Sequence, residues 1–449
     1  MNVAIIGTGY VGLTTGACLA FLGHSVTCVD VAEDKIAALE RGEVPIFEPH
    51  LAELIAGARD HLRFTTDYAQ AIPSAQVVFI AVGTPSTGTG APNLEYLEAA
   101  ARAVGAHLAQ PYTVIVNKST VPIGSGNWVG SLVRDAVAGR PHCRFAVASN
   151  PEFLREGTAI FDSLYADRVV IGTEEERAAE VLYTLYRPVL EQSFQPPPFL
   201  PRPDALAAVP LISTDLASAE LIKYSANAFL ALKISFINEI GSLAEKVGAD
   251  ITQVARGIGL DARIGNRFLQ AGIGWGGSCF GKDTAALVST AAEYGLAMPI
   301  VAAAREINRR QRERVVDKLL HELKILKGRT IGILGLAFKP NTDDLREAPA
   351  IDIARKLMER GARVKLHDPV AMSRFSREHP DLSASLCPSA EEVPRDADAL
   401  VLITEWQEYL ELDWEALAAS MRSPIVFDGR HALDKASLER AGFRYLSLA

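Results

Sequence analysis

The first thirty residues change hydrophobic period twice. Residues 2–6 (NVAII) form an apolar run of strand length, the stretch after Gly7 has helical character until Gly23, and residues 25–29 are apolar again. That alternation predicts a strand, helix, strand unit. It continues through the first half, where residues 77–82 (VVFIAV), 114–117, 145–149 and 169–171 are the clearest further strands. A second series begins near Arg329, with strands at 330–335, 363–367, 400–404 and 425–427. Strands alternating with helices predict parallel, doubly wound sheets, so the fold class is α/β with two Rossmann-like domains. Between them lies a proline-rich stretch, residues 195–210, which cannot be regular helix and reads as an exposed connector. A long helical pattern follows, with Ser213, Thr214 or Asp215 as the N-cap, ending near Val247 before Gly248. A helix of about 30 residues spans about 45 Å, which makes it a spine between domains and a dimer surface. Its apolar positions Leu221, Ile222, Phe229, Ile234, Phe236 and Ile237 are then core or interface. The expected domains are 1–212, a central helical region 213–328, and 329–449.

Composition narrows the class. A chain of 449 residues exceeds the size of one hydrophobic core, and 49% hydrophobic with 22% charged residues is ordinary for a globular protein. A formal charge of −9 disfavours a broad nucleic-acid surface. No apolar segment has the length of a membrane span, and the chain opens directly in a strand without the pattern of a signal peptide. Cys18, Cys28, Cys143, Cys279 and Cys387 show no metal-binding spacing, so no metal is expected, and free thiols in a reducing cytoplasm are.

The chemistry begins at Gly7-Thr8-Gly9-Tyr10-Val11-Gly12. A GxGxxG alone is weak, but here it follows a strand, opens a helix and precedes a second strand ending on Asp30. Gly7 permits the tight turn, Gly9 lets a pyrophosphate approach the backbone, and Gly12 lets the helix pack closely with its N–H groups towards the phosphates. Asp30 accepts from ribose hydroxyls and repels a 2′-phosphate, so NAD is favoured over NADP. The alternative is a glycine-rich turn in a non-binding α/β fold. Lys35 either reaches the cofactor or is a solvated helix residue.

Ligands of doubly wound sheets lie beyond the carboxyl ends of the strands. Three such ends carry polar residues: Gly83-Thr84-Pro85, Lys118 to Pro122, and Asn150 to Glu156. Lys223 and Asn227 stand four apart on one face of the long helix. Residues 272–284 (GIGWGGSCFGKDT) set Cys279 among glycines with Asp283 four residues on, a pattern suited to a thiol nucleophile on a loop. The competing reading is a buried structural cysteine. The segment GILGLAFKP, which carries Lys339, is not GxGxxG, so a second NAD there is not expected.

Taken together, IIGTGYVG, VGTPS, KSTVPIG, NPEFLREGTA, the long-helix segment STDLASAELIKYSANAFLALKISFINEI, GGSCFGKDT and GLAFKPNTDDLRE resemble the UDP-glucose/GDP-mannose dehydrogenase family over nearly the whole chain. The resemblance implies a cytoplasmic enzyme with an NAD-binding first domain, a dimer-forming central region and a C-terminal nucleotide-sugar domain. It implies oxidation of the C6 alcohol of UDP-glucose to the carboxylate by two NAD⁺, with Cys279 forming a thiohemiacetal and then a thioester. Lys223 and Asn227 would donate to the C6 oxygen. Thr120, Glu156 and Asp283 would hold or deprotonate the water, and Glu152 would orient or act as a base.

For the cofactor the resemblance implies the glycine loop with Tyr10 and Val11, together with Asp30, Lys35, Thr84, Thr120, Glu156 and Arg346. For the sugar nucleotide it implies Phe153, Leu154, Lys223, Asn227, Phe268, Gly276 and Lys339, with Arg263 reaching the neighbouring subunit's substrate. Alternatives are the same chemistry on GDP-mannose or another UDP-hexose, a two-electron hydroxyacid dehydrogenase, and a non-catalytic nucleotide-sugar binding protein. Three features depart from the family pattern: Gly281 where many members have proline, the long proline-rich insertion, and STGTGAPN after Pro85.

Overall fold

In the computed structural model, which describes residues 1–85, 87 and 91–448, the chain divides into two compact units. One comprises Met1–Ser225 with Ala285–Tyr294, the other Ala226–Thr284 with Gly295–Ala449. Ser86 and Gly88 to Gly90, in the segment read as departing from the family pattern, lie outside the described residues.

The first unit holds an eight-stranded sheet of β1 (Asn2–Ile6), β2 (Ser25–Val29), β3 (Leu62–Thr65), β4 (Val77–Ile80), β5 (Tyr112–Asn117), β6 (Arg144–Ser149), β7 (Val169–Thr173) and β8 (Leu211–Thr214). Its order is β3-β2-β1-β4-β5-β6-β7-β8. The first six follow the order of dinucleotide-binding sheets, with the reversal beside β1 opening a crevice at the strand ends. Alternate residues serve opposite faces: Val3, Ile5, Val77 and Phe79 belong to one buried cluster, and Ala4, Ile6, Val78 and Ile80 to the other. That is why these strands read as unbroken apolar runs.

One pairing departs from the expected parallel sheet. β7 runs antiparallel to β6, through Ala148 opposite Thr173 and Ser149 opposite Gly172. An antiparallel neighbour needs no crossover from one end of the sheet to the other, and the intervening chain forms only the short helix Ala159–Leu164. The proline-rich stretch is irregular, as expected, but it is not simply an exposed connector. Phe194, Phe199, Leu200 and Leu206 pack on the first core, and the Tyr165 hydroxyl donates to the Leu200 carbonyl at 2.8 Å. Its end becomes β8, which straddles the boundary expected at 212 and extends the first sheet.

Asp215 caps the long helix Leu216–Val247, its Oδ1 accepting from the Ser218 N–H at 2.7 Å. Ile237 is buried, whereas Leu221, Phe229 and Phe236 are exposed. The helices Ile251–Gly259, Phe280–Glu293 and Pro299–Leu323 follow in the chain.

The second unit winds β9 (Thr330–Leu334), β10 (Arg363–His367), β11 (Ser385–Leu386), β12 (Ala399–Leu402), β13 (Ile425–Asp428) and β14 (Arg444–Ser447) in the order β11-β10-β9-β12-β13-β14. All its pairs are parallel. No helix among the described residues is long and apolar enough to cross a membrane.

Candidate active site

The glycine turn meets each requirement of the motif. Gly7 has φ +97°, and a Cβ there would lie 2.8 Å from the Ala81 carbonyl oxygen. A Cβ at Gly12 would lie 1.9 Å from the Gly7 carbonyl oxygen, so the helix Tyr10–Phe21 sits on its strand only without one. A Cβ at Gly9 would meet nothing within 4 Å, which leaves open space before the helix N-terminus. Asp30 stands at the end of β2, its Oδ2 accepting from the Thr8 N–H at 2.8 Å, the Thr8 hydroxyl at 2.7 Å and the Lys35 ammonium at 2.9 Å. Burial pushes the Asp30 pKa up, but these donors and the Ala32 N–H outweigh it and hold it below the usual carboxylate range. Lys35 is therefore the partner of the strand-end acid, and buried Thr8, unremarked in the sequence, ties that acid to the glycine loop.

Tyr10 reaches another loop. Its hydroxyl donates to Glu48, whose carboxylate also accepts from the Gly157 N–H at 2.6 Å and the Ala159 N–H at 2.7 Å. Burial, then the Glu48 carboxylate, push the Tyr10 pKa far above its usual value. The glycine helix is thus joined to the loop that carries Glu152 and Glu156. Val11 flanks Tyr10 on that helix and is partly buried. Thr84 donates to the Thr120 carbonyl at 2.8 Å, which links two of the strand ends.

Glu152 and Lys223 form a buried pair. The Lys223 Nζ donates at 2.7 Å both to Glu152 Oε1 and to the Glu152 carbonyl oxygen, with the Lys223 side chain only 5% and the Glu152 side chain only 6% exposed. Glu152 Oε2 accepts from the Leu154 N–H at 2.7 Å. Burial raises the Glu152 pKa, yet Lys223 above all, with Leu154 and Lys118, brings it below the usual range. Phe153, between these residues in sequence, carries the Arg168 guanidinium 3.6 Å above its ring.

In the second unit, Cys279 is half-buried and directly precedes the helix Phe280–Glu293, its carbonyl accepting from the Asp283 N–H at 2.8 Å. The other four cysteines are buried. A sulfur at a helix N-terminus faces the unpaired N–H groups, which favour negative charge. Ser278 Oγ lies 3.4 Å from its Sγ. Fully buried Asp283 accepts from Asn227 Nδ2 at 2.5 Å and from Lys282 Nζ at 2.6 Å.

The glycines of this loop are close-packed. A Cβ at Gly276 would lie 2.5 Å from the Glu347 carbonyl oxygen, and one at Gly277, where φ is +87°, would lie 2.8 Å from the Phe338 ring. At Gly281 it would fall 1.9 Å from the Glu347 Oε2. The space a side chain at this position would need therefore holds a carboxyl group, and burial pushes the pKa of that group up against the pull of Arg312 and Arg305.

Arg346 pairs with a buried carboxylate. Its Nε and Nη2 grip buried Asp344 at 2.8 and 2.7 Å, and its carbonyl accepts from the Gly277 N–H at 2.9 Å. Lys339 Nζ lies 5.4 Å from the Phe338 ring centroid. Arg263 is 89% exposed and paired with Asp261 at 2.6 Å. Phe268 holds φ +64°, uncommon for a bulky residue, with its ring 6.2 Å from that of Phe280.

The second sheet has a strand-end acid too, Asp368, but it is used internally. It accepts from the N–H groups of Leu336, Ala337, Val370 and Ala371 and from the Trp406 indole. No group of three acidic, histidine or cysteine side chains among the described residues is placed to hold a metal ion.

A sheet reversal, a helix brought onto its strand by two obligatory glycines and an acid at the second strand end define a dinucleotide site, and the chain is an NAD-dependent dehydrogenase. Comparison with known proteins is more specific. The NAD binding domain of the UDP-glucose/GDP-mannose dehydrogenase family matches residues 1–190, its central domain 217–310 and its UDP binding domain 332–435. The chain belongs to this family.

UDP-glucose 6-dehydrogenase from Rhizobium meliloti is 46% identical, covering 100% of this chain and 99% of its own length. UDP-glucose 6-dehydrogenase TuaD from Bacillus subtilis is 45% identical, covering 100% and 93%. A solved UDP-glucose dehydrogenase from Pyrobaculum islandicum superposes with a TM-score of 0.89 at 38% identity, covering 100% of this chain and 97% of that one.

Proposed function

We propose that the protein oxidises the C6 alcohol of UDP-glucose to the carboxylate of UDP-glucuronate, with Cys279 as the covalent nucleophile. The observation that carries this reading is a half-exposed thiol at a helix N-terminus, one helical turn before a buried Asp283–Asn227 pair. NAD⁺ when bound accepts one hydride in each of two oxidations. An aldehyde gives up a hydride only after a nucleophile has added. Cys279 Sγ bonds to the aldehyde carbon while its proton passes to the oxygen, giving a thiohemiacetal. Loss of the second hydride and a proton leaves a thioester. Water then breaks the C–S bond, returning the thiol and releasing the acid.

Lys223 and Asn227 act as donors where charge gathers on the C6 oxygen, a placement worth about 3 kcal/mol per donor. Glu152 orients Lys223. Thr120, Glu156 and Asp283 hold the water or take its proton. Asp30, Lys35, Tyr10, Val11, Thr84 and Arg346 serve the cofactor alongside the glycine turn. Phe153, Leu154, Phe268, Gly276 and Lys339 serve the sugar nucleotide.

Residues 1–212 bind the cofactor, 213–328 dimerise and 329–449 bind the nucleotide, in a reducing cytoplasm that keeps five thiols free. The exposed apolar positions Phe229, Phe236, Leu243 and Val247 on the long helix support the dimer. Arg263 then reaches the other subunit's substrate. The test is stoichiometry with mass spectrometry. Two NADH per UDP-glucose and a thioester adduct absent from Cys279→Ala are expected; one NADH with accumulating aldehyde would refute the reading.

A further inference from the structure

Beyond the residues assigned above, the long helix carries a buried carboxylate one turn before Lys223. Glu220 is 4% exposed and faces the start of another helix. Its Oε2 accepts from the Gly124 N–H at 2.6 Å, and its Oε1 accepts from the Gly126 N–H at 2.9 Å and the Ser149 hydroxyl at 3.1 Å. All three donors are neutral. The helix Ser125–Ala136 begins after Gly124, which holds φ +94° and has no side chain to cap it. Glu220 therefore supplies, from a distant part of the chain, the cap that this helix lacks in its own sequence, and its charge meets N–H groups that favour an anion. Burial raises the Glu220 pKa, and the same donors pull it back. The approach is close: a Cβ at Gly126 would lie 3.2 Å from Glu220 Oε1.

The start of that helix is also the end of the loop that carries Thr120. The loop begins against the neighbouring strand end, where the Lys118 and Ser119 N–H groups donate to the Ile80 carbonyl at 2.9 and 3.1 Å, and Thr84 holds the Thr120 carbonyl. At its far end the hold comes from Glu220. Thr120, Ser149, Glu220 and Lys223 line one small cavity. We propose that Glu220 is a positioning residue that sets Thr120 for the hydrolytic water, by fixing the end of its loop to the helix that carries Lys223. The inference rests on the roles proposed for Thr120 and Cys279. Glu220 acts through the loop, so its loss slows the step that uses the water, thioester hydrolysis, and leaves binding of the sugar nucleotide in place.

The test is Glu220→Gln, which keeps the size of the side chain but leaves one acceptor oxygen for donors on both sides. Its kcat with UDP-glucose and NAD⁺ is expected to fall about tenfold or more with KM for UDP-glucose within about twofold of wild type. Intact-mass spectrometry during turnover is expected to show a larger fraction of the chain as the Cys279 thioester. Loss of a helix cap as such is controlled by Asp434→Ala, since Asp434 caps the helix Lys435–Arg440 by accepting from the Ser437 N–H at 2.6 Å and carries no site residue. That variant is expected to lose stability without accumulating adduct. A thioester fraction at the wild-type level in Glu220→Gln, or an equal rise in Asp434→Ala, overturns the inference. If Glu220→Gln does not fold, Glu220→Asp, which withdraws the carboxylate by one methylene, takes its place, and adduct at the wild-type level there overturns it equally. Wild-type protein that turns over no UDP-glucose would instead refute the proposed function, so the two failures are distinguishable.

Discussion

The Lys223 ammonium lies 2.7 Å from both the carbonyl and a carboxylate oxygen of Glu152, and the three groups are sealed from solvent together. Removing one partner of such a pair leaves the other charged and buried, at a cost of about 3–5 kcal/mol. Glu152→Gln is therefore expected to lower the melting temperature sharply at pH 7. The folded Glu152 pKa is depressed, so its stabilisation is complete above the unfolded carboxylate value of about 4.3 and is lost as pH falls below it through the folded value. The gap in melting temperature between wild type and variant should shrink from pH 7 to pH 4. A constant gap would show that the charge is not what Lys223 requires.

Asp30 gives a cofactor prediction. Its carboxylate is held ionised by Lys35 and Thr8, so Asp30→Asn is expected to weaken NAD⁺ binding about tenfold and to narrow the preference over NADP⁺. Dissociation constants for both cofactors by fluorescence titration decide it. Thr8→Val, which removes a buried donor to the same carboxylate, should cost about 1–3 kcal/mol of stability.

Gly281 and Glu347 should behave as a matched pair. The position is the second of its helix, where proline is tolerated by the backbone, so the obstacle to Gly281→Pro is the Glu347 carboxyl. Overpacking of this kind costs about 1–3 kcal/mol. The cost is expected to fall by at least half in a Glu347→Ala background, measured as a double-mutant cycle on thermal unfolding. Additive effects would mean that the two residues do not share the space.

Gly12→Ala is expected to abolish NAD⁺ binding while leaving the second unit folded, because the added carbon collides with the backbone oxygen of Gly7 and no side chain can yield. Retained binding in equilibrium dialysis would contradict this.

The strands legible in the sequence are the ones buried on both faces, such as β1, β4 and β9, since that burial leaves an uninterrupted apolar run. Edge or short strands left no such trace. β3 carries exposed Arg63, β8 emerges from prolines with Ile212 exposed, and β11 has two residues. The glycine turn, carried by a spaced motif, was equally legible. The contacts of Thr8 and Glu48 were not, because their partners lie 22 and 109 positions away along the chain. The antiparallel β7 is likewise a property of the connection, which period alone does not encode.

Only one of the five thiols is reachable from solvent without unfolding, since Cys18, Cys28, Cys143 and Cys387 lie within the packed interior. A thiol reagent added to the native enzyme is therefore expected to react at Cys279 first. On the role proposed for Cys279, incorporation of one label per chain is expected to match the fraction of a preparation able to turn over, and nucleotide sugar is expected to slow the labelling.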